Sequence, residues 1–210
     1  MSATAQKAFS DLIAGAVAPL LEKRGFARAG LTFHRRNGKN YAVIAFQKST
    51  KSSAKTVLFT ATLGAWSRRV ALFFEDGADS QTPSIAECHW TRRLGELLPV
   101  PSDHWWPVAG ADGSIARSEA LEVLQGVGLS LAERMSNDEE LRDLWMGGSG
   151  PGITAIQRLM YLSILVRDIG PPDALASVVA ELERRSAGRP VAREVRAHLA
   201  RLAHRPILTE

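Results

Sequence analysis

The apolar positions repeat first at a helical spacing, then at a strand spacing, and return to the helical one after the midpoint. Phe9, Leu12, Ile13, Ala16, Val17, Leu20 and Leu21 recur at steps of three and four, which puts them on one stripe of an amphipathic helix over residues 4–24. Pro19 removes one rung of that helix, so a bend is expected there and not an end, because the stripe continues through Leu21. Gly25 supplies the left-handed residue that closes the helix, with Phe26 placed to fold back over the last turn. Residues 31–36 and 41–49 then read as the arms of a β-hairpin around Asn37-Gly38. In the second arm Ala42, Ile44 and Phe46 face one way, and Tyr41, Val43, Ala45 and Gln47 the other. Both faces are largely apolar, which is the signature of a central strand or one covered on two sides.

A polar linker over 48–55 leads to a third strand at 56–66, where Gly64 marks a bulge or the close approach of another backbone. A short fourth strand is expected at 70–75 and a loop at 76–84. Another strand is expected at 87–97, ended by Pro99 and Pro101, with a turn at 103–106 that folds tryptophan back over the sheet. A helix over 117–135 is built on Ala120, Val123, Leu124, Val127 and Leu131. Gly126 and Gly128 inside it each cost about 1 kcal/mol relative to alanine, which predicts a kink or a close packing there. A short helix over 137–145 follows, with Asn137 as its cap and Asp138, Glu139 and Glu140 complementing its dipole.

The run MGGSGPG at 146–152 is the clearest boundary in the chain. It divides an α+β domain over 1–146 from a helical extension over 153–210, with 147–152 as a glycine-rich linker. The extension reads as three helices. The first, over 153–169, is apolar round so much of its circumference that it must be buried; Pro171-Pro172 and Gly188-Arg189-Pro190 open the next two. Three short helices make a thin layer, expected to pack on the sheet domain or on a second copy of the chain.

Composition changes this picture little. The 210 residues, 45% hydrophobic and 23% charged, are those of an ordinary globular protein. A single cysteine excludes an intrachain disulfide framework, and neither a signal peptide nor a membrane span is read in the chain, so a cytoplasmic location is expected. The net charge of +4 is concentrated late: residues 184–205 hold seven arginines against one glutamate. A basic helix is more often a solvated face than a polyanion site, so nucleic-acid binding is not expected.

Chemistry-bearing residues concentrate in 87–106, which hold the only cysteine, two of the five histidines and three of the five tryptophans. Cys88 beside His89 does not make a nucleophile pair, since strand neighbours point to opposite faces, and a buried small hydrophobe is its commoner role. Cys88, His89 and His104, with Glu87 or Asp103, match no metal-ligand spacing, and His198 and His204 fall on opposite sides of a helix. GGSGP at 147–151 follows a helix and lacks the ending of a phosphate loop. No catalytic residue, metal or cofactor is assigned. The set retained for binding is Trp90, Arg92, Arg93, Trp105 and Trp106, joined by Gln47 if its strand pairs near that of Arg92. The structural alternative is that the tryptophans cap the sheet edge while Arg93 bonds Asp103 to hold the turn. Gly25, Gly64 and Asp103 are read as structural.

Five signals together resemble a bacterial family known only as domain of unknown function 4304. They are the helix ending in Gly25-Phe26, the FQKS run at 46–49, Leu63-Gly64, Arg93-Leu94-Gly95, and Asp103 with Trp105-Trp106. The resemblance covers residues 5 to about 145 and implies an α+β domain with an antiparallel sheet. It brings no activity, cofactor or substrate. The expected architecture is therefore α+β: an antiparallel sheet of four to five strands with an N-terminal helix and later helices packed on it, and a three-helix C-terminal extension. The expected function is a non-enzymatic protein-interaction module, regulatory or immunity-like, with a protein partner or self-association through the C-terminal helices. The rivals are an enzyme or small-ligand binder using a Trp/Arg groove, and a nucleic-acid binder using the basic end.

Overall fold

Strands 3 and 4 of the sheet, the two most apolar segments of the first half, lie side by side and are buried on both faces. The computed structural model describes residues 5–74, 82–108, 113–148 and 150–207. Strands β1 (Ala27–Ala29), β2 (Thr32–Asn37), β3 (Asn40–Lys48) and β4 (Val57–Trp66) follow one another, each antiparallel to the last. The outer edge of β4 is shared end to end by β5 (Trp90–Arg93), opposite residues 62–65, and β6 (Trp106–Val108), opposite residues 57–59. One face carries Phe33, Ile44, Phe46, Phe59, Leu63, Trp90 and Trp106 into the main core. The other carries Tyr41, Val43, Ala45, Gly64 and Trp66, and over Gly64 lie Ile85 and Cys88.

The opening helix runs as α1 (Ala5–Leu12), a π-helical turn (Ile13–Val17) and α2 (Ala18–Glu22). The wide turn is the form the expected bend takes. Pro19 has no N–H, and the Ala18 N–H reaches back five residues to the Ile13 carbonyl. Gly25 closes the helix at φ +80°, and the Phe26 N–H returns to the Leu21 carbonyl at 3.0 Å while its ring is buried. The second long helix repeats the device. It runs as α4 (Gly113–Val123), a π-helical turn (Leu124–Gly128) and α5 (Leu129–Met135), and a Cβ on Gly128 would stand 3.1 Å from Leu94.

Four expectations are corrected. Residues 68–74 form helix α3 (Arg68–Phe74), not a fourth strand. Polar caps decide this: the Arg68 N–H donates to Asn40 Oδ1 at 2.8 Å and the Val70 N–H to Ser67 Oγ at 3.4 Å. The strand expected at 87–97 is shortened to β5, with a 3-10 turn (Ile85–Glu87) boxed by Ser84 and Glu87 before it and another (Leu94–Leu97) after it. The hairpin turn sits one residue later than read, on Gly38-Lys39 with Gly38 at φ +58°, because Asn37 and Asn40 are the last paired residues. Trp106 belongs to a strand instead of a turn, and β1 had no signal in the apolar pattern since all its residues are exposed. The loop expected at 76–84 lies largely outside the described residues.

Asn40 joins the sheet to the later helices. Its amide oxygen accepts from Arg68 N–H, and its amide nitrogen donates to the Ser136 carbonyl at 3.0 Å and to Asp138 Oδ1 at 2.9 Å. Helix α6 (Asp138–Met146) begins there, capped as expected by Asn137, whose side chain accepts from the Glu140 N–H at 3.0 Å. The C-terminal helices α7 (Ala155–Ile169), α8 (Ala174–Ser186) and α9 (Ala192–His204) pack on this end of the molecule, α7 against α3 and α6. Arg69 lies 3.2 Å from Asp138 and 3.8 Å from Asp168, and Arg167 pairs with Asp168 at 2.7 Å, a buried charge group linking α3, α6 and α7. At the end of α3 the guanidinium groups of Arg201 and Arg205 both donate to the Phe73 carbonyl.

Two histidines are sealed into the same seam. His89 Nδ1 accepts from the Ser67 N–H at 3.0 Å, so Nε2 carries its proton, and its ring meets Tyr161 of α7 at 5.2 Å. Ser163 spends its hydroxyl proton on the Met160 carbonyl, so His198 Nε2 donates to Ser163 Oγ at 2.8 Å and buried Nδ1 stays bare. Burial pushes His89 down to about 3; burial, then Arg201 and Arg167, push His198 down to about 4.

Two outcomes are expected. Asn40→Ala leaves the Arg68 N–H and the Asp138 carboxylate short of partners and should cost about 2–3 kcal/mol in urea unfolding. A loss below about 0.5 kcal/mol would remove Asn40 from this role. Because both histidines titrate lower in the fold than in the unfolded chain, where the reference value is 6.5, their contribution is complete above about pH 6.5. It should fall with pH through the window down to about 3–4, by about 1.4 kcal/mol per unit for each group. His198→Gln should flatten the upper part of that slope, and a midpoint independent of pH between about 6.5 and 4.5 would contradict the reading.

Candidate functional site

Five of the six residues retained for binding divide between the two faces of the sheet, and Trp105 lies in the loop before β6. Trp90 stands opposite Ala65 and Trp106 opposite Phe59, both on the main-core face, with 1% and 0% of their surface exposed. Rings of this size bury about 150–250 Å² and contribute about 4–6 kcal/mol each before entropy is counted, so they act here as core. Trp106 also donates its indole N–H to Glu119 at 2.7 Å, with His104 edge-on to its ring at 4.7 Å. Arg92 shares the core side of β5 and rests 3.6 Å from Glu96. Arg93 and Gln47 point to the other face, but β4 lies between their strands, so Gln47 does not join the Arg92 strand.

Only Arg93, Trp105 and Asp103 are brought together. Arg93 Nη1 donates to Asp103 Oδ1 at 2.6 Å, and its guanidinium lies 5.1 Å from the Trp105 ring centre. At this partly exposed position the ion pair and the cation–π contact are each worth about 0.5–1 kcal/mol. Together they tie the 98–105 loop, between β5 and β6, back to the end of β5. Gly95 beneath it is required by space, since a Cβ would meet the Ser102 carbonyl and His104 at 2.7 Å. Gly64 is also closely covered: a Cβ would come 2.6 Å from Ile85 and 2.7 Å from Cys88 Sγ, so the close neighbours are side chains and not the backbone anticipated.

Groups able to do chemistry elsewhere are committed to the fold. Cys88 lies in extended backbone between the first 3-10 turn and β5, and its thiol donates to the Ser84 carbonyl at 3.6 Å. Burial, and next Glu87, push the thiol well above the ordinary cysteine range, opposite to what a nucleophile requires. Asp138 is raised by burial, an effect that outweighs the opposing bonds from Ser67, Arg69 and Asn40. It borders a polar cavity of about 300 Å³ whose charged lining is Lys39, Arg68 and Arg69 with Asp138 and Glu139. Among the described residues no group of three histidine, cysteine or acidic side chains could hold a metal ion.

A cleft of about 820 Å³ opens between the start of α7, the α8–α9 connection and the end of α3. Its apolar lining comprises Phe74, Ile156, Met160, Tyr161, Pro190 and Val191, and its rim carries Arg185, Arg189 and Glu194. Phe74 keeps 37% of its surface exposed. Sequence reasoning did not select these residues. Phe74 fell in a segment read as a strand, and Gly188-Arg189-Pro190 read only as a helix start. The available signal was the nearly all-round apolar character of 153–169, more than one covering layer could bury.

A family model described as a domain of unknown function, DUF4304, matches residues 17–133. No curated protein and no solved structure matches the chain. The matched residues run from the opening helix's π turn to the end of the second long helix and take in the whole sheet, while α6 to α9 lie beyond them. With more than half of its 210 residues inside that match, this chain belongs to the DUF4304 family.

Proposed function

We propose that the chain is a non-enzymatic protein-interaction module whose docking face is the layer α7–α9. The observation that carries this reading is the cleft: an apolar floor long enough for several side chains, rimmed by charge, that no described residue covers. The arrangement of the reactive groups adds support, since His89, His198, Asp138 and Arg93 each hold two parts of the fold together. Two rivals draw less. A groove lined by Trp105, Trp106, Arg93 and Gln47 would need Trp106 at the surface, and it is a core side chain. A polyanion site would draw on the arginines of 184–205, yet Arg184 and Arg185 bond Glu181 and Arg201 and Arg205 bond the Phe73 carbonyl. A regulatory or immunity-like role in the bacterial cytosol is the setting this reading suits.

The test uses the full chain in cells that express it. Partner contacts mapped by cross-linking should fall on α7–α9, and Val191→Asp, at a half-buried cleft position, should weaken association by roughly tenfold or more. Trp105→Ala, away from the cleft, should change it by less than about twofold. Contacts mapped to the sheet face, or association indifferent to Val191→Asp in a variant that still unfolds cooperatively, would end the proposal.

A further inference from the structure

We infer that helix α9 is a proton-operated latch: one proton taken up by His198 frees α9 from α3 and α7 and leaves the sheet and α7 in place. The device works whether or not the cleft takes a partner. Geometry leaves His198 no room for a second proton. Its Nε2 donates to Ser163 Oγ at 2.8 Å, and Ser163 gives its own hydroxyl proton to the Met160 carbonyl. Nδ1 is buried without a partner among the described residues, so a proton there would be a donor lacking an acceptor. The charges that face the ring are cations, Arg201 of α9 and Arg167 of α7. Helix α3 presents rings, Phe73 at 5.0 Å and Phe74 stacked at 5.9 Å. The carboxylates of the surrounding helices are engaged or face water. Asp168 is held by Arg167 and Arg69, Glu181 of α8 by Arg184 and Arg185, and Glu183 and Glu194 are exposed. An imidazolium in this place is repelled by two neighbours and paired with none.

Helix α9 is also the part with least to hold it. It buries Val195, His198 and Leu202, three side chains against the eight of α7, and His198 is the middle one, a turn from each of the others. Its polar ties run through cations: Arg201 and Arg205 donate to the Phe73 carbonyl, and Arg167 donates to the Leu202 carbonyl at 3.0 Å. Charging His198 adds a like charge beside two of those three. His89 belongs to a different joint, between the Ser67 N–H and the ring of Tyr161, and takes no part in the latch. Glu194 lies on α9, and Pro190 and Val191 lead into it, so its release removes one wall of the cleft.

The experiment is amide hydrogen exchange on the full chain from about pH 7 to about pH 4.5, corrected for the intrinsic exchange rate at each pH. Burial, with Arg201 and Arg167, holds the docked ring down to about 4, below the 6.5 of a free one. Docking is therefore complete above about pH 6.5 and weakens as pH falls toward about 4. Amides of α9 should lose about tenfold in protection per pH unit below about 6. At every pH they should exchange at least about tenfold faster than those of β3, β4 and α7. His198→Gln keeps a donor for Ser163 and cannot take a charge, so its α9 protection should not change with pH. His204→Gln, exposed on the same helix, should leave the slope intact. Loss of protection in α9 and the sheet together at every pH would overturn the inference in favour of whole-chain unfolding. Protection of α9 that stays constant between about pH 6.5 and 4.5 would overturn it too, as would a slope that persists in His198→Gln. If His198→Gln does not fold, the first two outcomes are still read on the unaltered chain and decide the matter.

Discussion

Two adjacent strands that are apolar on both sides set the terms for everything else in this molecule. Ile44, Phe46, Phe59 and Leu63 on one face of β3 and β4, and Val43, Ala45 and Trp66 on the other, cannot be left to water. The first face takes the two long helices, each carrying a π-helical turn that fits it to the surface below. The second is met by the short segment that brings Ile85 and Cys88 over Gly64. Because β4 gives its outer edge to two strands in succession, the chain between them must leave the sheet and return. The Arg93–Asp103–Trp105 contact ties that excursion to the end of β5.

The end of the sheet is closed by polar groups more than by apolar area. Asn40 satisfies one backbone donor, one backbone acceptor and one carboxylate at once, and Arg69 reaches Asp138 and Asp168 on two different helices. Buried charges of this kind add little net stability compared with an apolar filling, but breaking one partner is costly. Their effect here is to fix where α3, α6 and α7 meet. The cleft follows from that placement, since Phe74 of α3, the start of α7 and the α8–α9 connection meet around it.

Much of the fold was legible because its signals are local. The glycine stop at Gly25, the bend at Pro19, the two-faced β3 and the Asn137 cap each need only a few neighbouring residues to be read. What was not legible depended on partners distant in the chain. Residues 70–74 are a short, wholly apolar run that suits a strand or a helix, and Asn40, about thirty positions earlier, joins Ser67 in capping them as a helix. Trp90, Trp105 and Trp106 are close in sequence and alike in chemistry, yet β5 and β6 meet β4 at opposite ends, so one local cluster became two core anchors and one surface ring. The same register separates Gln47 from Arg92, which no spacing along the chain could show. The cleft was hidden for a related reason, since its walls come from three segments more than a hundred residues apart at the extremes.

The glycine beneath Cys88 has one more implication. With no side chain there, the sulfur settles against the sheet, where a Cβ on residue 64 would stand 2.7 Å from it. A bulky group on the lone thiol would press on that contact, so the rate at which the thiol is labelled would report how readily the segment carrying it shifts away from β4.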